Sequence, residues 1–250
     1  MRLQDKVMVV TGGASGIGQA TAFLCAREGA QVVILDIDEA GGRDTERRII
    51  DEGGQGMFLR HDVTREADWQ NLVDLADKRF GRIDILFNNA GSNLMKPVTE
   101  VTEQEWDTLM ALNLKGVFFG IKHVIPLMIK GMAGSIINTA STFGLIGNPN
   151  MPVYCASKGG IIALTKQVAL DYGKHNIRVN CICPGPTLTP RIKKYIDQGF
   201  TKADSMVSRI PMGRAAEPDE IARVVLFLAS DDSSYVNGAV QVIDGGRLTN

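Results

Sequence analysis

Histidine is scarce in this chain. The three that occur, His61, His123 and His175, are scattered, and none has a nucleophile or a metal partner in its pattern. Hydrolysis built on histidine and histidine-bound metals are therefore poor readings, and the three rings are taken as structural. Cysteine is sparse as well. Cys25, Cys155, Cys181 and Cys183 fall inside apolar or helical patterns without CxxC or zinc spacing, so buried free thiols are expected and no metal. An excess of one charge is lacking: 27 basic residues face 28 acidic ones, leaving a net charge of -1. Such a balance gives no general field for nucleic acid or an anionic membrane, and neither is expected as a partner. Apolar runs of about 18 residues are missing, and the stretch after residues 1–6 is too short for a signal-peptide core, so a cytoplasmic protein is expected. Repeats and low-complexity tracts are also missing.

What remains is a chain with 44% hydrophobic residues, enough for one substantial core over residues 1–250. Short β-branched runs at 6–11, 31–36, 55–60, 83–88, 134–140, 177–183 and 239–243 alternate with helical periods at 17–28, 39–52, 66–80, 103–130, 153–174 and 218–229. That alternation predicts βαβ units. The expected fold is α/β: one doubly wound, seven-stranded parallel sheet with helices on both faces, its strands nearly all apolar. The last helical period opens Glu217-Pro218-Asp219-Glu220, with proline at the first position and acids in the first turn. Residues from about 186 to 216 carry turn and charged residues and are expected to form a lid.

The stretch "TGGASGIG", residues 11–18, holds four glycines directly behind an apolar strand and ahead of an amphipathic helix. A glycine loop in that setting presents free helix N–H groups and a partial positive charge to a pyrophosphate. Asp36, at the end of the second strand, is placed to take both hydroxyls of an adenine ribose and to repel a 2′-phosphate. The expected ligand is a dinucleotide, NAD.

The loop matches the TGxxxGxG pattern, and further matches follow in order: Asp62-Val63, Asn88-Asn89-Ala90-Gly91, Asn113 in "LNLKGVFF", Ser141, "YCASK" at 154–158 and "PGPTLTP" at 184–190. On these residues the chain resembles the short-chain dehydrogenase/reductase family along essentially its whole length, with a Rossmann fold. The resemblance implies a cofactor half over about 1–140 and a catalytic and substrate part over about 141–250. It also implies cofactor contacts from Gly12, Ser15, Gly16, Ile17, Gly18, Asp36, Asp62, Val63, Asn89, Ala90, Gly91, Tyr154, Lys158, Pro184, Gly185, Thr187 and Thr189. Residue 187 is Thr where the family often has Val or Ile. A homotetramer is implied too, and surplus apolar residues on the helices at 103–130 and 153–174 give it a physical motive.

A base must take the hydroxyl proton of a secondary alcohol while hydride leaves the carbon, and a free tyrosine with pKa near 10 needs help to do so. Tyr154 and Lys158 stand four apart on one helix face, so the ammonium can favour the phenolate. Ser141, just past a strand, belongs at the carboxyl edge of the sheet, where its hydroxyl can hold the substrate oxygen. By resemblance Tyr154 is the acid/base, Lys158 the pKa modulator and ribose anchor, Ser141 the substrate-oxygen holder and Asn113 the holder of a water-linked proton relay. Gly159-Gly160 suggests close packing or cofactor approach. The reading is an NAD-dependent alcohol dehydrogenase or ketoreductase for a small secondary alcohol or ketone. The alternative is a 3-oxoacyl thioester reductase, against which Ala14-Ser15 and Asp36-Ile37 speak, since NADPH enzymes tend to carry basic residues there. A dinucleotide-binding regulator without chemistry would be expected to lose a member of the tetrad, and none is lost. Thr142-Phe143-Gly144-Leu145-Ile146 with Met151 is expected to wall an apolar pocket. The lid cations Arg191, Lys193, Lys194, Lys202, Arg209 and Arg214 face only Asp197 and Asp204. They either hold an anionic substrate group or form the solvated face of a lid helix, since Arg191, Lys194 and Gln198 recur at helical spacing.

Overall fold

The structure is a computed structural model that describes residues 1–199 and 206–249. Its strands are Val7–Thr11 (β1), Gln31–Asp36 (β2), Gln55–Arg60 (β3), Ile85–Asn88 (β4), Gly134–Thr139 (β5), Ile177–Pro184 (β6) and Val240–Ile243 (β7). They form one sheet in the order β3-β2-β1-β4-β5-β6-β7, with every pairing parallel. The helices are Gly16–Arg27 (α1), Glu39–Asp51 (α2), Glu66–Phe80 (α3), Glu103–Met110 (α4), Gly116–Lys130 (α5), Pro152–Tyr172 (α6), Pro190–Asp197 (α7) and Pro218–Ala229 (α8).

Successive strand residues point to opposite faces, so the apolar runs feed two cores at once. Val7, Val9, Val33 and Leu35 pack with Trp69 and Leu72 of α3, Val124 and Met128 of α5, and Ile161 of α6. Met8, Val10, Val32 and Ile34 pack with Cys25 of α1, Ile49 of α2, and Ile221 and Val225 of α8. Each such side chain contributes roughly 1.5–3 kcal/mol by leaving water. The start of α8 is as expected: Glu217 and Glu220 form a capping box around Pro218. A buried polar chain crosses the first core, with Asn88 Nδ2 donating to Asn138 Oδ1 (2.9 Å) and Asn138 Nδ2 to Thr165 Oγ1 (3.0 Å).

Two expectations need correction. The helical period 103–130 is not one regular helix, because Ala111–Lys115 winds as a π-helical turn between α4 and α5. Asn113 sits in that turn, fully buried, and its bonds to Ser92 and Ser157 accompany the wider winding. The 28 residues Glu103–Lys130 are long and apolar enough to cross a membrane by length and composition alone. Half of that apolar window is buried in this fold, with Val117, Ile121, Val124 and Met128 packed in the first core. The lid segment contains a helix, α7, which Thr189 caps by accepting from Ile192 N (3.4 Å) with Pro190 in its first turn. A lid helix is one of the two readings given for the cations of this segment, and those start signals set where it begins. Lys202 and Asp204 lie outside the described residues. All four cysteines are free, but Cys155 is only partly buried, since it shares α6 with residues that face the cleft. His61 is buried edge-on against Trp69 with ring centroids 4.6 Å apart, and burial pushes its pKa down to about 4. His123 lies 3.0 Å from Glu66 Oε1.

Candidate active site

Beyond their carboxyl ends β1 and β4 part company, because the chain turns one way along the sheet after β1 and the other way after β3. In such sheets the crevice at that reversal takes the ligand. The glycine loop forms one wall. Gly12 and Gly16 adopt left-handed φ of 66° and 58°, and a Cβ on Gly18 would stand 2.1 Å from the Gly12 carbonyl oxygen. Side chains are therefore excluded by the loop's own geometry. Ser15 is the N-cap of α1 without a capping side-chain bond, and no acid occupies the first turn, which contains Ile17 and Gly18. That leaves the helix terminus suited to an anion.

Asn89 braces this wall: its Nδ2 donates to Thr11 O (3.1 Å) and Gly12 O (3.3 Å). The Thr11 hydroxyl accepts from Asn89 N (2.9 Å) and Ala90 N (3.0 Å). Asp36 ends β2 with Oδ2 accepting from Ala14 N (3.0 Å) and Oδ1 from Asp38 N (3.0 Å). Each oxygen keeps a lone pair for a sugar hydroxyl. Asp62 Oδ1 accepts from Thr64 N (2.9 Å) and Oγ1 (2.7 Å), while the Val63 carbonyl accepts from Trp69 Nε1 (3.0 Å).

Gly91 joins this wall to the other residues singled out, since a Cβ there would stand 3.1 Å from Asn113 Oδ1 and 3.6 Å from Lys158 Nζ. Lys158 is 4% exposed and its Nζ donates to Thr139 O (2.7 Å). The same Nζ stands 5.7 Å from the centre of the Tyr154 ring. Burial holds the ammonium down at about 8. It also holds the Tyr154 phenol above its ordinary value, offset only in part by a hydrogen bond from Ser141 and the charge of Arg191; the expected lowering by Lys158 is not among these effects. Ser141 Oγ accepts from Phe143 N (3.1 Å), fixing the turn that follows β5. Asn113 Nδ2 donates to Ser92 O (2.9 Å) and to Ser157 Oγ (3.1 Å), and Ser157 Oγ donates to Tyr154 O (2.8 Å). Gly160 is explained by packing, since a Cβ there would meet Leu114 Cδ2 at 2.8 Å.

The third wall starts at Pro184, the last residue of β6, where Gly185 N donates to Ile243 O (2.8 Å). Thr187 Oγ1 donates to Gly185 O (3.1 Å), and Thr189 Cγ2 lies 3.2 Å from where a Cβ of Gly16 would be. Helix α7 is tied across the cleft by Arg191 Nη2 donating to Gly91 O (3.0 Å) and Tyr195 OH to Asn93 Oδ1 (3.3 Å). Arg214 pairs with Glu220 at 2.7 Å. Among the expected lid cations these two are therefore engaged within the protein. Thr11, Asn88 and Ser157 enter the sequence reading only as parts of motifs and receive no role of their own there, and Asn138 and Thr165 are not singled out.

The glycine loop, the acid at the end of β2 and the tyrosine–lysine pair on one edge of a doubly wound sheet point to a dinucleotide-dependent oxidoreductase as the class. A family model described as Enoyl-(Acyl carrier protein) reductase matches residues 12–247. The chain is 41% identical to a cyclopentanol dehydrogenase from Comamonas sp. over 249 residues, covering 100% of this chain and 99% of the relative. It is 42% identical to a 3-oxoacyl-[acyl-carrier-protein] reductase from Thermotoga maritima over 250 residues, covering 99% and 100%. The crystal structure of levodione reductase superposes with a TM-score of 0.94 at 36% identity, covering 98% of each chain. The chain belongs to the short-chain dehydrogenase/reductase family, whose oxidoreductases use nicotinamide cofactors.

Proposed function

We propose that the protein interconverts a secondary alcohol and its ketone with NAD(H), Tyr154 acting as the acid/base. The observation that carries this reading is the Tyr154–Lys158 pair beside Ser141, set against the glycine-loop wall through Gly91. The crevice fits a dinucleotide, because a Cβ at Gly18 would fill the loop and the α1 terminus has no acid of its own. Bound nicotinamide supplies the hydride acceptor or donor.

The chain's own residues do the rest. Gly12, Ser15, Gly16, Ile17 and Gly18 hold the pyrophosphate, Asp36 the adenine ribose, and Asp62 and Val63 the adenine. Asn89, Ala90, Gly91, Pro184, Gly185, Thr187 and Thr189 line the path to the nicotinamide, and Lys158 anchors its ribose. In oxidation the carbinol proton passes to the Tyr154 phenolate, which the Lys158 charge favours; in reduction Tyr154 returns it to the ketone oxygen. Ser141 positions that oxygen, and Asn113 holds the relay that refills the tyrosine.

Asp36 supports NAD over NADP, since a 2′-phosphate beside it sets two negative charges together at a penalty of several kcal/mol. A screen of secondary alcohols with both cofactors, read at the nicotinamide absorbance, tests the reading. The expected result is turnover with NAD, with the preference relaxed by Asp36→Ala; equal use of both cofactors by the unmutated protein rejects the NAD assignment. A homotetramer fits the same picture. Trp106 and Phe118 are 43% and 46% exposed, and Met110, Leu114, Phe118 and Leu164 line a groove of about 670 Å³ between α4, α5 and α6, suited to a second copy. Light scattering at micromolar concentration is expected to give four times the chain mass.

A further inference from the structure

The C-terminal turn returns to the site from the side that the sequence reading left out. Gly245 and Gly246 take φ of 65° and 88° after β7. A Cβ on Gly245 would lie 2.7 Å from Ile210 Cγ2, and one on Gly246 3.1 Å from Pro211 Cγ, so the turn is packed onto the far end of the lid. It carries Arg247 over the Phe143 ring, with the guanidinium carbon 4.9 Å from the ring centre. Phe143 in turn meets the Tyr154 ring edge-on, with centroids 6.5 Å apart. The cation thus stands one aromatic ring behind the acid/base.

Partial burial acts first on the Arg247 guanidinium, and a second guanidinium, Arg209, acts on it as a like charge. Among the described residues neither guanidinium has an ion pair. The neighbouring acid, Asp244, acts on Arg247 as an opposite charge but is itself bound by backbone: Oδ1 accepts from Gly246 N (2.9 Å) and Oδ2 from Leu248 N (2.8 Å). Arg191 and Arg214, by contrast, are satisfied within the protein. Arg247 is half-buried and Arg209 exposed, and the Arg247 guanidinium over Phe143 makes no ion pair among the described residues, so its N–H donors are open to an anion.

We propose that Arg247 binds an anionic group on the substrate whose reacting carbon lies at Ser141 and Tyr154. The proposal rests on the reading of Tyr154 above and adds the substrate class: an apolar body that lies along Phe143 and ends in a negative charge. The planar fork of an arginine suits a carboxylate or a phosphate through paired N–H donors. The charge can belong to a compact oxo acid or to the phosphates of a 3-oxoacyl thioester.

The test compares 4-oxocyclohexanecarboxylate with its methyl ester, and separately acetoacetyl-coenzyme A, in the unmutated protein and in Arg247→Ala, Arg247→Lys and Arg209→Ala. The expected result is a KM for the carboxylate about ten- to a hundredfold below that of the ester, a ratio that falls towards one in Arg247→Ala and is partly restored in Arg247→Lys. The same dependence with acetoacetyl-coenzyme A alone supports the site and assigns the anion to the thioester. A ratio unchanged by Arg247→Ala, with both KM values moved alike, overturns the proposal and leaves Arg247 a packing residue. Calorimetry of the carboxylate on the protein, with and without NAD⁺, separates this from the reading of Tyr154. If no ketone is reduced, binding that Arg247→Ala abolishes still supports the anion site, and absence of binding overturns it.

Discussion

The two sides of the cleft are built from different materials. On the glycine-loop side the contacts are short and mostly involve backbone: Asn89 and Thr11 bind main-chain atoms, Asp36 accepts from two backbone N–H groups, and Gly18 is forced by the Gly12 carbonyl. On the lid side the contacts run through long side chains, with Arg191 reaching Gly91, Arg214 reaching Glu220 and Arg247 lying over Phe143. Backbone-bound walls are rigid and suit a ligand that never varies, whereas long side chains can be exchanged without disturbing the sheet. Tyr154 and Lys158 stand between the two, with Lys158 Nζ 3.6 Å from where a Cβ of Gly91 would be and the charge of Arg191 acting on the Tyr154 phenol.

The largest effect is expected where those walls meet. Tyr154→Phe keeps the ring and its edge contact with Phe143 but removes the proton donor, so kcat should fall by at least about 10²–10⁴-fold. Dinucleotide affinity, read by quenching of protein fluorescence on titration with NADH, should hold. Retained turnover removes Tyr154 from the chemistry; loss of binding and folding together makes it a core residue.

Lys158 gives the next effect, and its sign follows from linkage. Its amine titrates at about 8 in the folded chain, against about 10.4 when unfolded, so between those values the unfolded chain binds more protons. The penalty of burying the ammonium is fully present below pH 8 and is lost as pH rises to about 10, a swing on the order of 3 kcal/mol. Lys158→Met lacks this term. Urea melts from pH 7 to 10 should show Lys158→Met the more stable protein at neutral pH, with the gap closing as pH rises. A gap independent of pH means that the bond to Thr139 fully offsets burial.

What was legible in the sequence follows the same division. The sheet, its doubly covered inner strands and the positions of Gly18, Asp36, Tyr154 and Lys158 could be read because burial and loop geometry restrict those places to few residue types, whereas the edge strands β3 and β7 are only partly covered. Asn88, Asn138 and Thr165 could not, because their partners lie 50 and 27 positions apart and nothing local marks a strand asparagine as bonded. The π-helical turn at Asn113 hid inside an unbroken apolar period. Arg247 was invisible for a related reason: its value comes from a turn that brings the C-terminal residues onto Phe143, and the residues nearest it in sequence say nothing of that ring.

Glycines sharpen the contrast on a smaller scale. In Gly18→Ala the new methyl group meets the Gly12 carbonyl oxygen at 2.1 Å, so the loop must move, at a cost of about 1–3 kcal/mol with weakened dinucleotide binding. In Gly159→Ala the nearest contact is Gly144 O at 3.6 Å, ordinary van der Waals distance, and the better helix former should gain up to about 1 kcal/mol. Thermal melts and NADH titrations of the two variants check both signs. Equal tolerance would mean that the glycine-loop wall is as pliable as the face of α6 at Gly159.

Arg191→Ala should have the smallest effect and the most specific signature. The substitution removes one hydrogen bond to the Gly91 carbonyl, worth about 1 kcal/mol at an exposed position, so KM should rise by less than tenfold and the melting temperature should barely move. The guanidinium also draws the Tyr154 phenol down, and without it the phenol is expected to titrate higher. The rising limb of kcat against pH in the oxidative direction should therefore shift to more alkaline pH, although the lost bond lies on the lid. A lid residue with only a mechanical role would change KM and leave that limb in place. A loss as large as that of Tyr154→Phe would instead make α7 part of the chemistry, and the division between a fixed wall and an exchangeable one would fail at this point.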